Sequence, residues 1–405
     1  MPPARRSLLT TVAATGSSVA LAGCSALSSF RDPDPDEPPP AGGGTLSNPE
    51  NSATGANGEW STFGCNAANT RAVGDAAAPV DGLSERWRVE IAQSASRAPV
   101  VASGRVYQPD VDTLRVLTAD DGSELWTLED VREVPLVWND VAYVSTGDAI
   151  RALEADTGDQ LWERKFEMPG RVTTPATHGG ERLVCGAGER VVALDTDDGT
   201  VRWDREVFGQ VLDHPAVFMG HWFVVTTRAG MVYLLNGDGM GGKRWQLPVK
   251  PTAPPSADTS SVYVNCRNGT TYALMDDGIS DPTRNWTADI GWAERGIAVA
   301  DGLVLVANNR GLHAVGTESG DHYWEHDVGD GRHTAPAYGR DTVFVGGDRL
   351  HALDPTPGDS PEGGPAVRFE REFAGRVGPG PVLDDGTIYV VAQVDDETDA
   401  LLALD

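Results

Sequence analysis

The chain has 405 residues, of which 60 are Asp or Glu and 32 are Lys or Arg, so its formal net charge is −28 at pH 7. Such an acidic protein would repel phosphate groups, and the composition therefore argues against nucleic-acid binding. The length suffices for one large repeat domain or for two or three ordinary domains.

The basic residues are almost all arginine, because only Lys165, Lys243 and Lys250 are lysine. At roughly 1 M ionic strength the Debye length is about 3 Å, so a strongly acidic surface is screened and stays hydrated. Many acids with few lysines resemble the proteome of a halophilic archaeon, and we expect such an origin.

The first predicted element is an export signal at residues 1–23. Arg5 and Arg6 precede a mildly apolar run from Leu8 to Ala22, which is too short and too rich in Gly, Ser and Thr to span a membrane. The arginine pair resembles a twin-arginine (Tat) signal, and the residues Leu-Ala-Gly-Cys ending at Cys24 resemble a lipobox. We therefore expect a lipoprotein anchored by Cys24 to the outer face of the cell membrane. An ordinary secretory signal with a chance cysteine is the alternative.

Residues 24–58 are rich in Pro, Gly, Ser and acidic residues and are predicted to be a disordered spacer, because they have too few large apolar side chains to offset the entropy of ordering. The folded domain is expected at residues 59–405. Its cysteines, Cys65, Cys185 and Cys266, show no spacing typical of a metal site. Their odd number leaves at least one thiol free, and buried small hydrophobes are the favoured interpretation.

A repeat of 36 to 45 residues runs through this domain. Its clearest copies are VLTADDGSELW (116–126), ALEADTGDQLW (152–162), ALDTDDGTVRW (193–203) and AVGTESGDHYW (314–324). Looser copies occupy residues 234–245, 273–286 and 352–369, and a proline that opens an apolar run keeps the same period. Within each unit, apolar runs of 4 to 7 residues are broken by Gly and Asp, which favours four strands per unit. The sequence therefore predicts an all-β, eight-bladed β-propeller with four antiparallel strands per blade.

The two ends of the domain hold complementary parts of one repeat unit. The strand at Trp87 has no Ala-Leu-Asp run before it, and the chain ends on Leu-Leu-Ala-Leu-Asp at Asp405 with no tryptophan strand after it. We expect these N- and C-terminal strands to pair in one sheet and to close the ring, which removes the free edges of an open ring.

The repeated run resembles the PQQ-type propeller repeat, whose mark is Ala-Leu-Asp-x-x-x-Gly-x-x-x-Trp. The resemblance covers roughly residues 60 to 405 and implies that each ring packs on a neighbouring blade, against Ala and Gly residues such as Ala152, Ala193, Ala273, Ala352, Gly158 and Gly199. The implied blade-docking residues are Trp87, Trp126, Trp162, Trp203, Trp245, Trp286, Trp324 and Phe369.

The resemblance implies two kinds of function. Quinoprotein dehydrogenases of this family bind pyrroloquinoline quinone and calcium in the central funnel, and many clamp the quinone with a disulfide between adjacent cysteines. This sequence has no adjacent cysteine pair, no haem-binding CxxCH and no long insertion. Candidates for a funnel site are Asp213, His214 and Glu294, with Trp138, Trp222 or Trp292 beneath a ligand.

Non-enzymatic propellers of the family present loops to other proteins, as does the propeller lipoprotein of the bacterial outer-membrane β-barrel assembly machinery. We expect a non-enzymatic, monomeric, membrane-tethered scaffold for an envelope or exported protein, with no catalytic residue, cofactor or metal. The alternatives are a quinone-dependent dehydrogenase and a sensor that binds a solute or glycan.

The connection before each proline strand carries a basic residue in seven of eight units. Because such connections surround one mouth of a propeller channel, we hypothesise a basic collar for an anionic ligand or acidic partner. The alternative is that each basic residue pairs with a nearby acid, such as Glu133 or Glu294. The collar residues are Arg97, Arg132, Arg171, Lys250, Arg295, Arg332 and Arg376.

Two apparent metal motifs have simpler interpretations. The acids in DTDDGTVRWDREV (195–207) begin like a calcium loop, but other repeat copies hold Thr or Ala in these positions, so we predict a hairpin turn at Gly199. His322 and His326 flank Trp324 and are predicted to be exposed strand residues rather than metal ligands.

Overall fold

The computed structural model of the protein describes residues 60–74, 78–79, 83–92, 97–167, 170–177, 180–275, 283–357 and 364–405. The predicted export signal with Arg5 and Arg6 and the predicted spacer with Cys24 lie outside these residues. Among the described residues, no helix is long and apolar enough to cross a membrane.

The described strands form eight four-stranded antiparallel sheets, which confirms the predicted eight-bladed propeller. Apolar side chains of consecutive sheets, such as Val224 and Val264, pack together, so the core lies between the blades. The innermost strands of blades 1 and 8 also contact each other and complete the ring.

In blades 1 to 4 the strands run from the innermost to the outermost in chain order. They are β2 (Val100–Ala102), β3 (Arg105–Asp110), β4 (Thr113–Thr118) and β5 (Glu124–Glu129); β6 (Leu136–Trp138), β7 (Val141–Ser145), β8 (Ala149–Glu154) and β9 (Gln160–Lys165); β10 (Ala176–Thr177), β11 (Arg182–Gly186), β12 (Arg190–Asp195) and β13 (Val201–Glu206); β14 (Ala216–Phe218), β15 (Trp222–Thr226), β16 (Met231–Leu235) and β17 (Gly241–Gln246).

Blades 5 to 7 follow the same order, and blade 8 takes its outermost strand from the other end of the domain. The strands are β18 (Ser256–Ala257), β19 (Val262–Asn265), β20 (Thr270–Met275) and β21 (Thr283–Asp289); β22 (Ile297–Ala300), β23 (Leu303–Asn308), β24 (Gly311–Gly316) and β25 (His322–His326); β26 (Ala337–Gly339), β27 (Thr342–Val345), β28 (Leu350–Pro357) and β29 (Pro365–Arg371); β30 (Val382–Asp384), β31 (Thr387–Gln393), β32 (Asp399–Leu404) and β1 (Glu85–Ile91). A 3-10 turn covers Gly331–His333.

The ring closes as predicted, because β1 pairs antiparallel with β32, with Trp87 opposite Ala403. The backbone N–H of Ser84 donates to the carbonyl of Asp405 at 2.7 Å, and that of Asp405 donates back at 2.9 Å. The two ends of the domain therefore complete one sheet.

The tryptophans of the outermost strands reach the next blade. The indole Nε1 of Trp162 donates to the Thr196 carbonyl at 2.9 Å, and a Cβ on Gly199 would lie 2.5 Å from the Trp162 ring. The same donation joins Trp87, Trp126, Trp203, Trp286 and Trp324 to Ala119, Ala155, Gly237, Thr317 and Pro355. For Trp245 the corresponding turn, residues 276–282, is outside the described residues.

Gly199 combines this close approach with a φ of 68°, a left-handed conformation that glycine adopts readily. Around it, Asp195 Oδ1 accepts from the Asp197 amide at 2.9 Å, and Asp198 Oδ1 accepts from the Thr200 amide at 2.8 Å. Asp195 also pairs with Arg202 at 2.5 Å. These aspartates therefore serve the turn, and side chains larger than glycine have no room at residue 199.

The alanines of the repeat pair within their own blade: Ala152, Ala193 and Ala273 lie opposite Trp162, Trp203 and Trp286, and Ala352 lies opposite Phe369. A register shift follows each of these alanines, and it also recurs in blades 1, 4 and 6. Such β-bulges increase the local twist of a strand pair.

The N-terminal segment Trp60–Val73, which we call the plug, follows the inner wall of the channel. Its backbone carbonyls accept hydrogen bonds of 2.7–2.9 Å from the innermost strands of six blades. The donors, in chain order, are the amides of Val101, Val137, Val217, Ala257, Val299 and Tyr338, and the acceptors are Trp60, Ser61, Ala67, Ala68, Thr70 and Arg71. The plug therefore fills part of the channel and joins blades distant in sequence.

Candidate functional site

A cavity of about 440 Å³ lies at one mouth of the channel. We call it the funnel cavity. Its wall comes from connections that enter the innermost strands, such as residues 97–98, 212–214, 250–254 and 292–295. The turns between the second and third strands of blades 4 and 5 contribute Arg228 and Arg267. In a four-stranded antiparallel blade these two kinds of loop emerge on the same face, which we call the funnel face.

Glu133 is the buried acid of the funnel cavity, with 2% of its side chain exposed. Arg97 donates to both of its carboxylate oxygens at 2.7 Å, and Arg171 donates to Oε1 at 2.5 Å. His214 Nε2 lies 3.6 Å from Oε2. Burial raises the pKa of Glu133, but His214 and Arg97 outweigh burial and hold this pKa well below its ordinary value. Both carboxylate oxygens of Glu133 therefore already have cationic partners.

The floor of the funnel cavity is built by the plug. Phe63 stacks on the His214 ring at a centroid distance of 4.4 Å. The buried Arg71 guanidinium lies 4.9 Å from the centre of the Trp60 ring. It donates to the carbonyls of Pro336, Phe63 and Pro381 at 2.8, 3.2 and 3.0 Å. Burial lowers the pKa of Arg71 to about 10, and it still remains charged at neutral pH.

Three of the seven predicted collar residues, Arg97, Lys250 and Arg295, line the funnel cavity. Arg171 reaches Glu133 at its wall. Burial, and then the proximity of Arg97, lowers the pKa of Arg295, because like charges disfavour a second cation.

The other three collar residues lie outside the cavity lining. Arg132 pairs with exposed Asp112 at 2.6 Å, Arg332 with Asp330 at 3.1 Å and Arg376 with buried Asp399 at 3.3 Å. Nearby acids hold these three guanidinium groups, as the alternative interpretation predicted, and a collar of all seven residues stays a prediction.

Sequence reasoning missed Arg71, Arg228 and Arg267. Arg71 lies in the plug, which belongs to no repeat unit. Arg228 and Arg267 had a detectable signal, since TRAG and CRNG place arginine at the same turn of successive blades. These second-to-third-strand turns emerge on the same face as the connections before the proline strands.

Of the other residues predicted to line the funnel, some lie at the cavity and some do not. Asp213, His214, Glu294 and Trp292 line the cavity. Trp138 and Trp222 instead pack against Gly180 and Gly242. Neither of these two tryptophans therefore lies beneath a funnel ligand.

Among the described residues, Glu133 is not available as a calcium ligand, and no adjacent cysteines could clamp a quinone. Glu133 already binds two arginines, and Cys65, Cys185 and Cys266 are separately buried free thiols. In this part of the chain, groups of three His or carboxylate side chains close enough to share a metal lie on blades 6 and 7 instead. One group holds His322, which is exposed as predicted, and the other holds His326, which is half-buried.

The repeat region matches a known protein family. The family model described as outer membrane protein assembly factor BamB matches residues 76–165, 146–279, 241–361 and 312–405. The chain belongs to the BamB family. This family membership agrees with the predicted PQQ-type repeat.

A curated relative of this BamB-family chain is the outer membrane protein assembly factor BamB of Yersinia pestis, which is 27% identical over 243 residues. The match covers 55% of this chain and 58% of the relative. The chain thus matches less than two thirds of the relative's length.

Solved structures share the fold. BamB from Moraxella catarrhalis has a TM-score of 0.59 at 14% identity, with 80% of this chain and 98% of that chain covered. A quinohemoprotein alcohol dehydrogenase from Comamonas testosteroni has a TM-score of 0.63 at 14% identity, with 87% and 81% covered. At such identities these likenesses show the fold alone.

Proposed function

We propose that this BamB-family chain is a non-catalytic scaffold of the cell envelope that binds another envelope or exported protein through its funnel face. Family membership supports a role in assembly, since the matching family and the Yersinia relative are named as outer membrane assembly factors. The proposed scaffold role rests on one observation, which is that the plug forms hydrogen bonds to six blades. These bonds stabilise the propeller as a support for the loops on both of its faces.

The funnel face also exposes apolar side chains suited to an interface. Phe208, in the connection to blade 4, is 48% exposed, and Val111, in a second-to-third-strand turn, is 52% exposed. Val111 also has a φ of 59°, which is unfavourable for a β-branched residue. Exposed aromatic residues and strained loop residues are typical of binding surfaces. These two residues support the funnel face as a docking face.

Lipidation of Cys24 would tether this disc to the membrane through the spacer of residues 24–58. This part of the proposal rests on the lipobox-like sequence and agrees with the envelope role named for the relatives. The halophilic origin, which rests on composition, and the monomeric state remain predictions.

A quinone-dependent dehydrogenase is the second candidate, because the similar solved structures include two quinohemoprotein alcohol dehydrogenases. The occupied carboxylate of Glu133 and the separated cysteines count against it. A sensor that binds a solute is the remaining alternative.

Site-specific photo-cross-linking tests the docking face. A benzophenone amino acid at Phe208 on the funnel face is expected to capture one envelope protein, identified by mass spectrometry, in native membranes. The matched control is the same probe at Met219, which is 45% exposed in a first-to-second-strand turn on the opposite face. Capture from Met219 but not from Phe208 would contradict the proposed face.

A further inference from the structure

The funnel cavity differs in charge from the rest of the molecule. Its lining contains six cationic side chains and three carboxylates, although the whole chain carries a net charge of −28. The cationic residues are Arg71, Arg97, Arg228, Lys250, Arg267 and Arg295, and the acidic ones are Glu133, Asp213 and Glu294. A positive concave site in an acidic protein concentrates the potential that attracts small anions.

Arg71 is a buried cation whose hydrogen-bond partners are neutral. The side chain donates to three backbone carbonyls, and no described carboxylate forms an ion pair with it. A buried charge is costly unless an opposite charge compensates it. The floor of the funnel cavity therefore offers a fixed positive charge that an anionic ligand can neutralise.

Three further cations at the cavity lack carboxylate partners among the described residues. Arg228 and Arg267 are exposed on second-to-third-strand turns, and Lys250 is half-buried in the connection to blade 5. Arg97 and Arg295 extend the positive lining, although Glu133 compensates Arg97. These side chains form the rim of the funnel cavity, and they add positive charge to that of Arg71.

The positions of these cations indicate which type of anion the cavity could bind. They come from the plug and from loops of blades 1, 4, 5 and 6, so they do not converge on a single atom. A volume of about 440 Å³ is typical of small-molecule sites. Arginine pairs well with planar carboxylates, and Phe63 and Trp292 add apolar walls.

We propose that the funnel cavity binds a small organic acid with two or three carboxylates. Arg71 supplies the positive floor, and Arg228, Arg267 and Lys250 bind carboxylates at the rim. This site goes beyond the scaffold role and does not depend on it, because binding occurs above the plug without any partner protein.

Calorimetric titration of the full chain with citrate, at constant ionic strength, tests this site. We expect one citrate per chain, and we expect the double substitution Arg228→Gln and Arg267→Gln to weaken binding at least about tenfold, since each substitution removes a charged hydrogen-bond donor. Both arginines are exposed, so the melting temperature without citrate should stay unchanged. Arg132→Gln is the matched control, because Arg132 lies outside the cavity and pairs with Asp112.

Three results would overturn the proposal: no citrate binding at millimolar concentration, equal weakening by Arg132→Gln, or binding of an acidic hexapeptide at this site without binding of citrate. None of these results bears on the photo-cross-linking test. The anion site and the scaffold role can therefore fail separately.

Discussion

Replacing Trp324 by alanine should lower the free energy of unfolding by about 3–5 kcal/mol, the usual cost of truncating a large buried aromatic side chain. Trp324 is 2% exposed, and its indole donates to the Pro355 carbonyl of the next blade at 2.7 Å. The alanine variant loses this packing and leaves that carbonyl without its donor. Urea denaturation followed by circular dichroism measures the change.

Leu161→Ala is the control for Trp324→Ala, because Leu161 is 56% exposed on an outermost strand. An exposed substitution of this kind should change the free energy of unfolding by no more than about 0.5 kcal/mol. Equal effects of the two substitutions would show that the tryptophans do not hold the blades together.

The substitution Glu133→Gln should cost about 3 kcal/mol of the free energy of unfolding, because it breaks the ion pair of the buried Glu133 with the half-buried Arg97. Glu133 is 2% exposed and Arg97 is 27% exposed, so water compensates this loss poorly. Urea denaturation near neutral pH measures the difference. Glu206→Gln is the control, since Glu206 is 72% exposed and its pair with Arg190 should contribute no more than about 1 kcal/mol.

The pH dependence of the same substitution has a defined sign. The pKa of Glu133 is lower in the folded chain than its ordinary value of 4.5, so its stabilisation is fully present above pH 4.5. The stabilisation is lost as the pH falls below 4.5 towards the folded-state pKa. The difference between wild type and Glu133→Gln should therefore shrink in acid, and a constant difference from pH 7 to pH 3 would contradict this role of Glu133.

The propeller could be predicted because its determinants are local and repeated. The spacing from Trp126 to Trp162 and Trp203 gives the length of a blade. The repeat unit that is divided between Trp87 and Asp405 predicts how the ring closes. Both features can be read directly from the sequence. The period of the repeat was therefore sufficient to predict the propeller fold.

The plug could not be predicted in the same way. Its residues form hydrogen bonds to strands as far away as Tyr338, and such partners leave no periodic pattern in the local sequence. Arg71, the floor of the candidate site, was missed for this reason. Arg97, Lys250 and Arg295 of the predicted collar line the funnel cavity, whereas Arg132 pairs with Asp112, because a loop position fixes the face of a residue and leaves open which acid its side chain meets.

We propose that this BamB-family chain acts without catalysis, and it should therefore not support the dye-linked oxidation of alcohols or sugars. The full chain is incubated with pyrroloquinoline quinone and calcium, and dye reduction is compared with that of the chain alone. We expect equal rates, even if the carboxylates of the quinone bind in the funnel cavity. Sustained substrate-dependent turnover that a calcium chelator abolishes would contradict it.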